Sequence, residues 1–533
     1  MVFFKFFFNK EKSNFRKISK GYRFLKDLNQ LDFLDNLKIL LTNTSLSTKI
    51  TSSKFIKIDS EAVSLEVSVR QYIIQRFIGI NFNKEVLLCL ADKNKKFTYT
   101  LPPEWQNSVI DSGIKVNKFA CSFLWTIEMV RLWIYACYEV VRQSLNSLKF
   151  LIKRDTEKNK TFVYFDGLAE SNIPDRSGTY EYGIMSWYLK HFDSNKIDYL
   201  AHTVSTRKES VLNDKIRVKS VVSPIQPPLT YTSLVLFLGY CFSKLFISIF
   251  LLILGKWWNV LLLRDSFLSK IINLNKGRGI AFHYLFHNSN WIYRPLWTYT
   301  AEKHNSKIYF YFYSTNIERF KKADKINRVA NSWDLISWPN FLVWDQFQSD
   351  FVTKNSNYPI KVDITGPISF VFSEIEELKI PSNSIAVFDV QPVRSTYYDS
   401  LGSDQDYYVP EVANAFLADV FESVTFLNFP IVFKRKRNIG KLAHHKYVNE
   451  INRISKEYDF LNIDPSIPAE LIIAKAKAII SMPFTSTALV AKHLGKPSIF
   501  YDPSGLVVKD DPAAHGIMVI NNKVDLIDWL NKI

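Results

Sequence analysis

The sequence predicts an α/β protein: two Rossmann-like domains facing a cleft, with an N-terminal helical region and an apolar insertion. Three observations lead there. From Thr161 onward, short apolar runs alternate with helical stretches, the rhythm of a parallel sheet. That series breaks at the polar stretch "SEIEELKIPSNS" (Ser373 to Ser384) and then starts again, which marks two halves. The length, 533 residues, exceeds what one core holds. The expected divisions are a mainly helical region at 1–155, one Rossmann-like domain at 156–378 and a second at 379–533.

The helical region comes first. Its opening, "MVFFKFFFNKEK", lacks the long apolar core and the small-residue cleavage site of a signal peptide. "ACSFLWTIEMVRLWIYACYEVVRQSL" (Ala120 to Leu145) is apolar nearly all round, with Glu128, Arg131, Glu139 and Arg142 along it. Charges at that density fit a buried or interfacial helix better than a spanning one.

The first half should contain strands at "TFVYFDG", "IDYLAHTV", "GIAFHYLFHNS", "SKIYFYFYST", "PNFLVW" and "IKVDITGP", with helices at "YGIMSWYLKHF" and "YRPLWTYTAEKH". An apolar segment at 229–263 interrupts it. Leu229 to Trp258 is uncharged except for Lys244 and Lys256, and its length would suit a transmembrane helix. Lys244 sits mid-segment, however, and a single span would divide one sheet between two sides of a membrane. We expect docking on a membrane surface, with Trp257, Trp258 and Arg264 at headgroup level. Packing inside the protein and spanning are the alternatives.

The second half should contain strands at "IAVFDVQP", "FPIVFKRKR", "KAIIS" and "PSIFY", with helices at "EVANAFLADVFESV", "YVNEINRISKEY" and "VDLIDWLNKI". Between "KAIIS" and "PSIFY", Pro483 stops the strand and Thr485, Ser486 and Thr487 precede the helix "ALVAKHLG". One hydroxyl is accounted for by helix capping. Three together, with the N–H groups of a helix N-terminus at a strand's carboxyl end, also suit a phosphate.

Composition narrows the chemistry. Hydrophobic content of 47% and aromatic content of 15% exclude a disordered chain. The four cysteines (Cys89, Cys121, Cys137, Cys241) form no close pair, so neither a disulfide framework nor a zinc site is expected, and a reducing, cytoplasmic setting suits them. The net charge of +17 points to anionic partners: phosphorylated substrates, an anionic membrane or nucleic acid. No arginine–aromatic alternation of the RNA-binding kind stands out, so nucleic acid is set aside. No Walker A, GxGxxG, HExxH or CxxC pattern occurs, which argues against a P-loop NTPase, a dinucleotide dehydrogenase and a zincin.

Candidate site residues follow from strand ends. "VFKRKR" places Lys434, Arg435, Lys436 and Arg437 there, with alternation sending Lys434 and Lys436 to one face. A solvated edge accounts for such a run; so does a phosphate, given the hydroxyl turn in the same half and His444 and His445 close by. "VFDVQPVR" ends another strand with Asp389, Gln391 and Arg394, and Arg394 can reach a phosphate. In the first half, Asp166, Glu170 and Asp175 follow one strand, and His283 and His287 lie on another. A general base activating an acceptor hydroxyl belongs on that side. Asp166 has the best position, with Glu170 and His287 behind it. Each is also explained as ordinary turn chemistry.

The stretch Pro483-Phe484-Thr485-Ser486 followed by "ALVAKHLGKPSIFYDPSG", together with "FDVQPVR", "VFKRKR", "VWDQFQSDF" and "ITGPISF", resembles the bacterial polysaccharide biosynthesis PFTS-motif proteins over roughly residues 160–533. The resemblance implies a GT-B-like glycosyltransferase working on a capsule or O-antigen-like surface glycan. It implies a nucleotide-sugar donor on the second half, where the residues read above to hold it are Thr485, Ser486, Thr487, Lys434, Lys436, Arg394 and His445. It also implies an acceptor on the first half, where Asp166, Glu170 and His287 are the candidates read above, and the apolar segment would hold the enzyme near a lipid-linked one. No cofactor or metal is expected, since no paired-carboxylate cluster stands at the donor end. The enzyme is expected at the inner face of the cell membrane. An epimerase or hydrolase on the same fold, and a non-catalytic membrane-associated scaffold, are the competing readings.

Overall fold

A computed structural model describes residues 11–46, 50, 55–153, 160–174, 183–193, 195–206, 209–212, 216–225, 229–288, 292–314, 321, 332–368, 379–393, 395–401, 407–440, 442–483 and 485–533. The opening ten residues, Asp175, residues 373–378 of the expected linker, Arg394 and Phe484 lie outside the described residues.

Helices α1 (Glu11–Asp27), α2 (Phe33–Asn43), α3 (Leu65–Phe77), α4 (Ile80–Ala91), α5 (Pro103–Asp111) and α6 (Lys118–Lys153) occupy the N-terminal region. Local chemistry sets their starts. Ser64 accepts from the Val67 N–H at the head of α3, and Pro103 takes the first position of α5, where no N–H is needed. Their apolar faces meet around Val69, Phe82, Phe97 and Trp105. Trp257 and Trp258 pack into the same core, and Trp257 meets Trp125 edge to face at 5.1 Å. The headgroup position expected for these two tryptophans is therefore wrong: they tie the insertion to the helical region. Arg264 is likewise engaged within the protein, its Nε lying 3.0 Å from Glu139 Oε2.

The first sheet contains β1 (Phe162–Phe165), β2 (Tyr199–His202), β3 (Glu209–Leu212), β4 (Ile216–Ser220), β5 (His283–His287), β6 (Lys307–Tyr311), β7 (Asn340–Val343) and β8 (Lys361–Ile364). Its order is β3-β4-β2-β1-β5-β6-β7-β8, and only the β3–β4 pair is antiparallel. Sequence patterning missed that pair, because "ESVL" is short and alternates exposed with buried residues. Helices α7 (Ile184–His191), α8 (Tyr231–Ile253), α9 (Trp258–Leu261), α10 (Leu263–Leu274), α11 (Leu296–Lys303) and α12 (Gln346–Asn355) accompany it. The apolar insertion is α8. It buries Leu234, Phe237, Cys241 and Leu245 against the protein along its length. Lys244 turns inward as well, donating to the Phe55 carbonyl at 2.5 Å with its ammonium over the Phe55 ring.

The second sheet contains β9 (Ile385–Phe388), β10 (Ile431–Lys434), β11 (Leu461–Ile463), β12 (Ala478–Ser481), β13 (Ser498–Tyr501) and β14 (Met518–Ile520), all parallel, in the order β11-β10-β9-β12-β13-β14. Strands β9, β10 and β12 are buried at every position, as strands covered on both faces must be. The covering helices include α14 (Pro410–Phe426), α15 (His445–Glu457), α16 (Ala469–Lys475), α17 (Thr487–His493) and α18 (Lys523–Asn531), while α13 (Ser395–Leu401) packs on α1 and α4 of the helical region.

In chain order the second sheet reads 3-2-1-4-5-6, the doubly wound pattern, and it reverses between β9 and β12. The first sheet reverses in the same way between β1 and β5. The halves meet where His515 Nδ1 bonds Asp345 Oδ2 at 2.7 Å and where Gly366 lies against the His493 ring. The helical region is bonded to both. Gln71 Nε2 donates to the Leu335 carbonyl and to Ser337 in the first half. Ser19 donates to Asp399 at 2.6 Å and Asn83 to the Leu401 carbonyl at 2.9 Å in the second.

Candidate active site

Ligands of open α/β sheets bind outside the carboxyl ends of the strands, where the strand order reverses. In the second half that point lies between the exits of β9 and β12. The two exits are laced together: the Met482 N–H donates to the Phe388 carbonyl at 3.0 Å, and the Val390 N–H approaches Met482 Sδ at 3.4 Å.

The hydroxyl turn sits on this crevice, and its side chains are arranged differently from the expectation. Ser481 and Thr487 share a hydrogen bond of 2.7 Å, Thr487 donates to Thr485 at 3.3 Å, and Thr485 donates to the Met482 carbonyl at 2.7 Å. The threonine protons are committed inside the turn and are not free for a phosphate. None of the hydroxyls caps α17 either, since Ser486 at the cap position has helical backbone angles and makes no capping bond. What the turn presents is its backbone and the half-exposed Ser486. Beyond α17, Gly495 at φ +69° lets the Lys496 N–H return to the Ala491 carbonyl at 2.9 Å, so the chain re-enters as β13.

The basic run also departs from the expectation. Strand β10 ends at Lys434, so alternation does not carry Lys436 to the same face. Lys434 is buried, and its ammonium donates to the Pro465 carbonyl at 3.2 Å, beyond the neighbouring strand β11. Desolvation lowers its pKa. It braces the sheet edge and does not line the crevice. Lys436 and Arg437 lie past the strand and are exposed.

Sequence reasoning read Asp389 as turn chemistry and missed what surrounds it. Asp389 ends β9 fully buried, and Tyr447 of α15 donates its hydroxyl to Asp389 Oδ2. Burial pushes the carboxyl up to about 6, against the pull of Tyr447, Arg435 and Lys434. Among the described residues, Asp389 Oδ1, Gln391 Oε1 and Arg435 Nε are buried without hydrogen-bond partners. The only trace in the sequence is a carboxylate closing an apolar run. The same contact brings the start of α15 to the β9 exit, where the His444 N–H donates to the Pro392 carbonyl at 3.1 Å. His445 is exposed there, its ring stacked on His444 with centroids 4.6 Å apart.

The first half repeats the design. The register pairs Phe165 with Leu285, and the Asp166 N–H continues the ladder to the Leu285 carbonyl at 2.9 Å. Asp166 follows β1 and His287 closes β5, both at the reversal between the two strands. His287 Nε2 lies 3.3 Å from the Gly167 carbonyl oxygen. Gly167 has φ +68°, and a Cβ there would fall 2.7 Å from that nitrogen, so only glycine fits. Asp166 is half-buried, and desolvation pushes its carboxyl up to about 6. Tyr164, on the same face of β1, donates to it at 3.3 Å and opposes the shift. Phe165 points to the opposite face and packs with Leu168 and Tyr188. Burial lowers the pKa of His287.

Glu170 is exposed at the start of a short 3₁₀ turn, Glu170–Asn172, further along the loop. His283 is excluded as a base. It starts β5, at the end away from the crevice, buried among Tyr188, Phe192 and Tyr309, with Tyr188 Oη 2.6 Å from its Nδ1. Among the described residues no three His, Cys, Asp or Glu side chains gather as a metal site.

Two doubly wound sheets, each with a crevice at its strand reversal, define a GT-B-like α/β protein. The chain belongs to the polysaccharide biosynthesis PFTS motif proteins, whose pattern matches residues 242–530. That range takes in His287 and all six strands of the second half, and begins after Asp166. Solved structures similar to it include the UDP-GlcNAc 2-epimerase of Methanocaldococcus jannaschii, at 11% identity over 70% of this chain and 92% of that one, TM-score 0.35. The wall teichoic acid polymerase TagF, as its H444N variant, is 10% identical over 76% and 88%, TM-score 0.36. Glycosyltransferase VinC in complex with dTDP is 10% identical over 70% and 90%, TM-score 0.34. No curated protein matches the sequence.

Proposed function

We propose that this protein is a glycosyltransferase that moves a sugar from a nucleotide-sugar donor to a growing, lipid-linked surface glycan. The observation that carries the proposal is the pair of switch-point crevices in a member of a polysaccharide biosynthesis family. The donor occupies the crevice between β9 and β12. Its phosphate lies against the backbone of the turn that Thr485 and Thr487 brace, with Ser486, Lys436 and His445 as neighbouring donors and Arg394 as a further candidate. The acceptor lies against the first half. Asp166 takes the proton from the acceptor hydroxyl, whose oxygen attacks the anomeric carbon. The bond from that carbon to the phosphate oxygen breaks, and the nucleotide leaves with the electron pair. Cations and backbone N–H groups meet the charge it gains, without a metal. His287 and Glu170 flank the acceptor. The work takes place at the inner face of the cell membrane.

A panel of UDP-, GDP- and CMP-sugars tests the donor half by thermal shift. One nucleotide class should stabilise the protein, and Ser486→Ala with Lys436→Ala should reduce that shift while the unliganded melting temperature holds. Equal shifts in the double variant would remove the subsite. Conversion of the sugar nucleotide with no acceptor present would replace transfer by epimerisation or hydrolysis.

A further inference from the structure

Helices α6 and α8 pack together, with Trp133 Nε1 donating to the Leu245 carbonyl at 3.1 Å. Each has one face in the protein and a second that none of the described residues covers. On α6 the uncovered face carries Phe119, Phe123, Ile134, Tyr138, Leu145 and Ile152, spaced by 4, 11, 4, 7 and 7 residues, each close to a whole number of helical turns. Phe119 is 84% exposed at one end and Ile152 77% at the other. On α8 it carries Val235, Phe242, Phe246, Phe250 and Ile253, with Phe246 84% exposed. A monomeric soluble protein rarely leaves an apolar face of this extent open.

We propose that α6 and α8 together form a flat membrane-docking face that lies in the surface of an anionic bilayer without crossing it. This deepens the membrane-held part of the proposed function and does not depend on the transfer chemistry. Three observations choose the occupant. First, charge: Glu128 is held by Arg76 and Arg131, Glu139 is buried between Arg142 and Arg264, and α8 has no carboxylate. Exposed lysines stand beside the face: Lys118 next to Phe119, Lys149 next to Leu148, and Lys256 just past α8. The whole chain carries +17, so a second copy would set like charge against like, whereas acidic headgroups are complementary. Second, period: from Phe119 to Ile152 the stripe takes nine turns over 33 residues, about 3.7 per turn, whereas a left-handed coiled-coil partner demands 3.5. Third, length: the 36 residues of α6 run for about 54 Å, against a hydrocarbon core of about 30 Å, and its other face is bound to protein throughout. Lys244, which interrupts the apolar segment in sequence, faces inward and leaves the outer face without charge.

Co-sedimentation of the full chain with lipid vesicles tests this. Vesicles of phosphatidylcholine with phosphatidylglycerol should retain it, at least tenfold better than phosphatidylcholine alone. The outer-face variant Phe123→Ser/Ile134→Ser/Leu145→Ser on α6, and Phe246→Ser/Phe250→Ser on α8, should each lower retention at least tenfold while the nucleotide thermal shift persists. A persisting shift with lost retention separates docking from donor binding. Hydroxyl-radical footprinting of the unaltered chain needs no variant: labelling of Phe119, Tyr138 and Phe246 should fall when anionic vesicles are added. Unchanged labelling, or retention of the α6 variant at the wild-type level, overturns the proposal. So does a dimer in solution, measured by light scattering, that the same substitutions dissociate.

Discussion

At the scale of single residues, Asp166 and Asp389 pose the same problem with different consequences. Each ends a central strand, and burial pushes each carboxyl up to about 6. A base must be deprotonated to work, so transfer should fall as pH drops through about 6, and a pH–rate profile of kcat/KM reads that limb. Asp166→Asn should lower transfer by about two to four orders of magnitude with the donor thermal shift intact; near-normal transfer would move the role to Glu170 or His287. For Asp389 the readout is stability. Its folded pKa lies above the ordinary 3.8, so the fold holds that proton more tightly than the unfolded chain. Stability is then lost as pH rises from about 4 to about 6. Asp389→Asn should gain on the order of 1–3 kcal/mol at pH 8 in urea titrations, with the gain vanishing below pH 4. Asp166 was legible in the sequence because a carboxylate followed by glycine closed an apolar run. Lys434 was misread because its partner, the Pro465 carbonyl, stands 31 residues away, just past a strand too short to show.

At the scale of elements, the PFTS turn is a hydrogen-bonded chain that runs from Ser481 through Thr487 and Thr485 to the Met482 carbonyl. Thr485→Val keeps the shape and leaves that carbonyl unmet, so it should cost about 1–3 kcal/mol in stability. Donor affinity should change little at temperatures where the variant is folded, because the turn's backbone would contact the phosphate. Lys434→Met should leave donor affinity within about twofold, since removing a charged group that is not in contact with ligand costs binding little; a tenfold loss by calorimetry would return Lys434 to the phosphate subsite. The long parallel strands and their helices could be read from apolar runs and helical spacing. The β3–β4 pair and the one-sided burial of α6 could not, because both depend on which neighbour covers which face.

At the scale of the whole molecule, the two crevices belong to different halves, and sugar transfer requires them to face each other. The helical region is bonded to both, through Gln71 on one side and Ser19 and Asn83 on the other. Gly366 at φ +76° leaves no room for a side chain against His493, so Gly366→Ala should separate the halves' unfolding in a calorimetric scan and lower the first transition. The bonds through Ser19 and Asn83 have a further consequence. A third body pinned to both jaws works as a splint: it sets the furthest angle to which they can gape. For the proposed transfer, substrates would then enter by the loops at the strand exits, and a docked bilayer beneath α6 and α8 would hold that aperture at a constant height above the lipid.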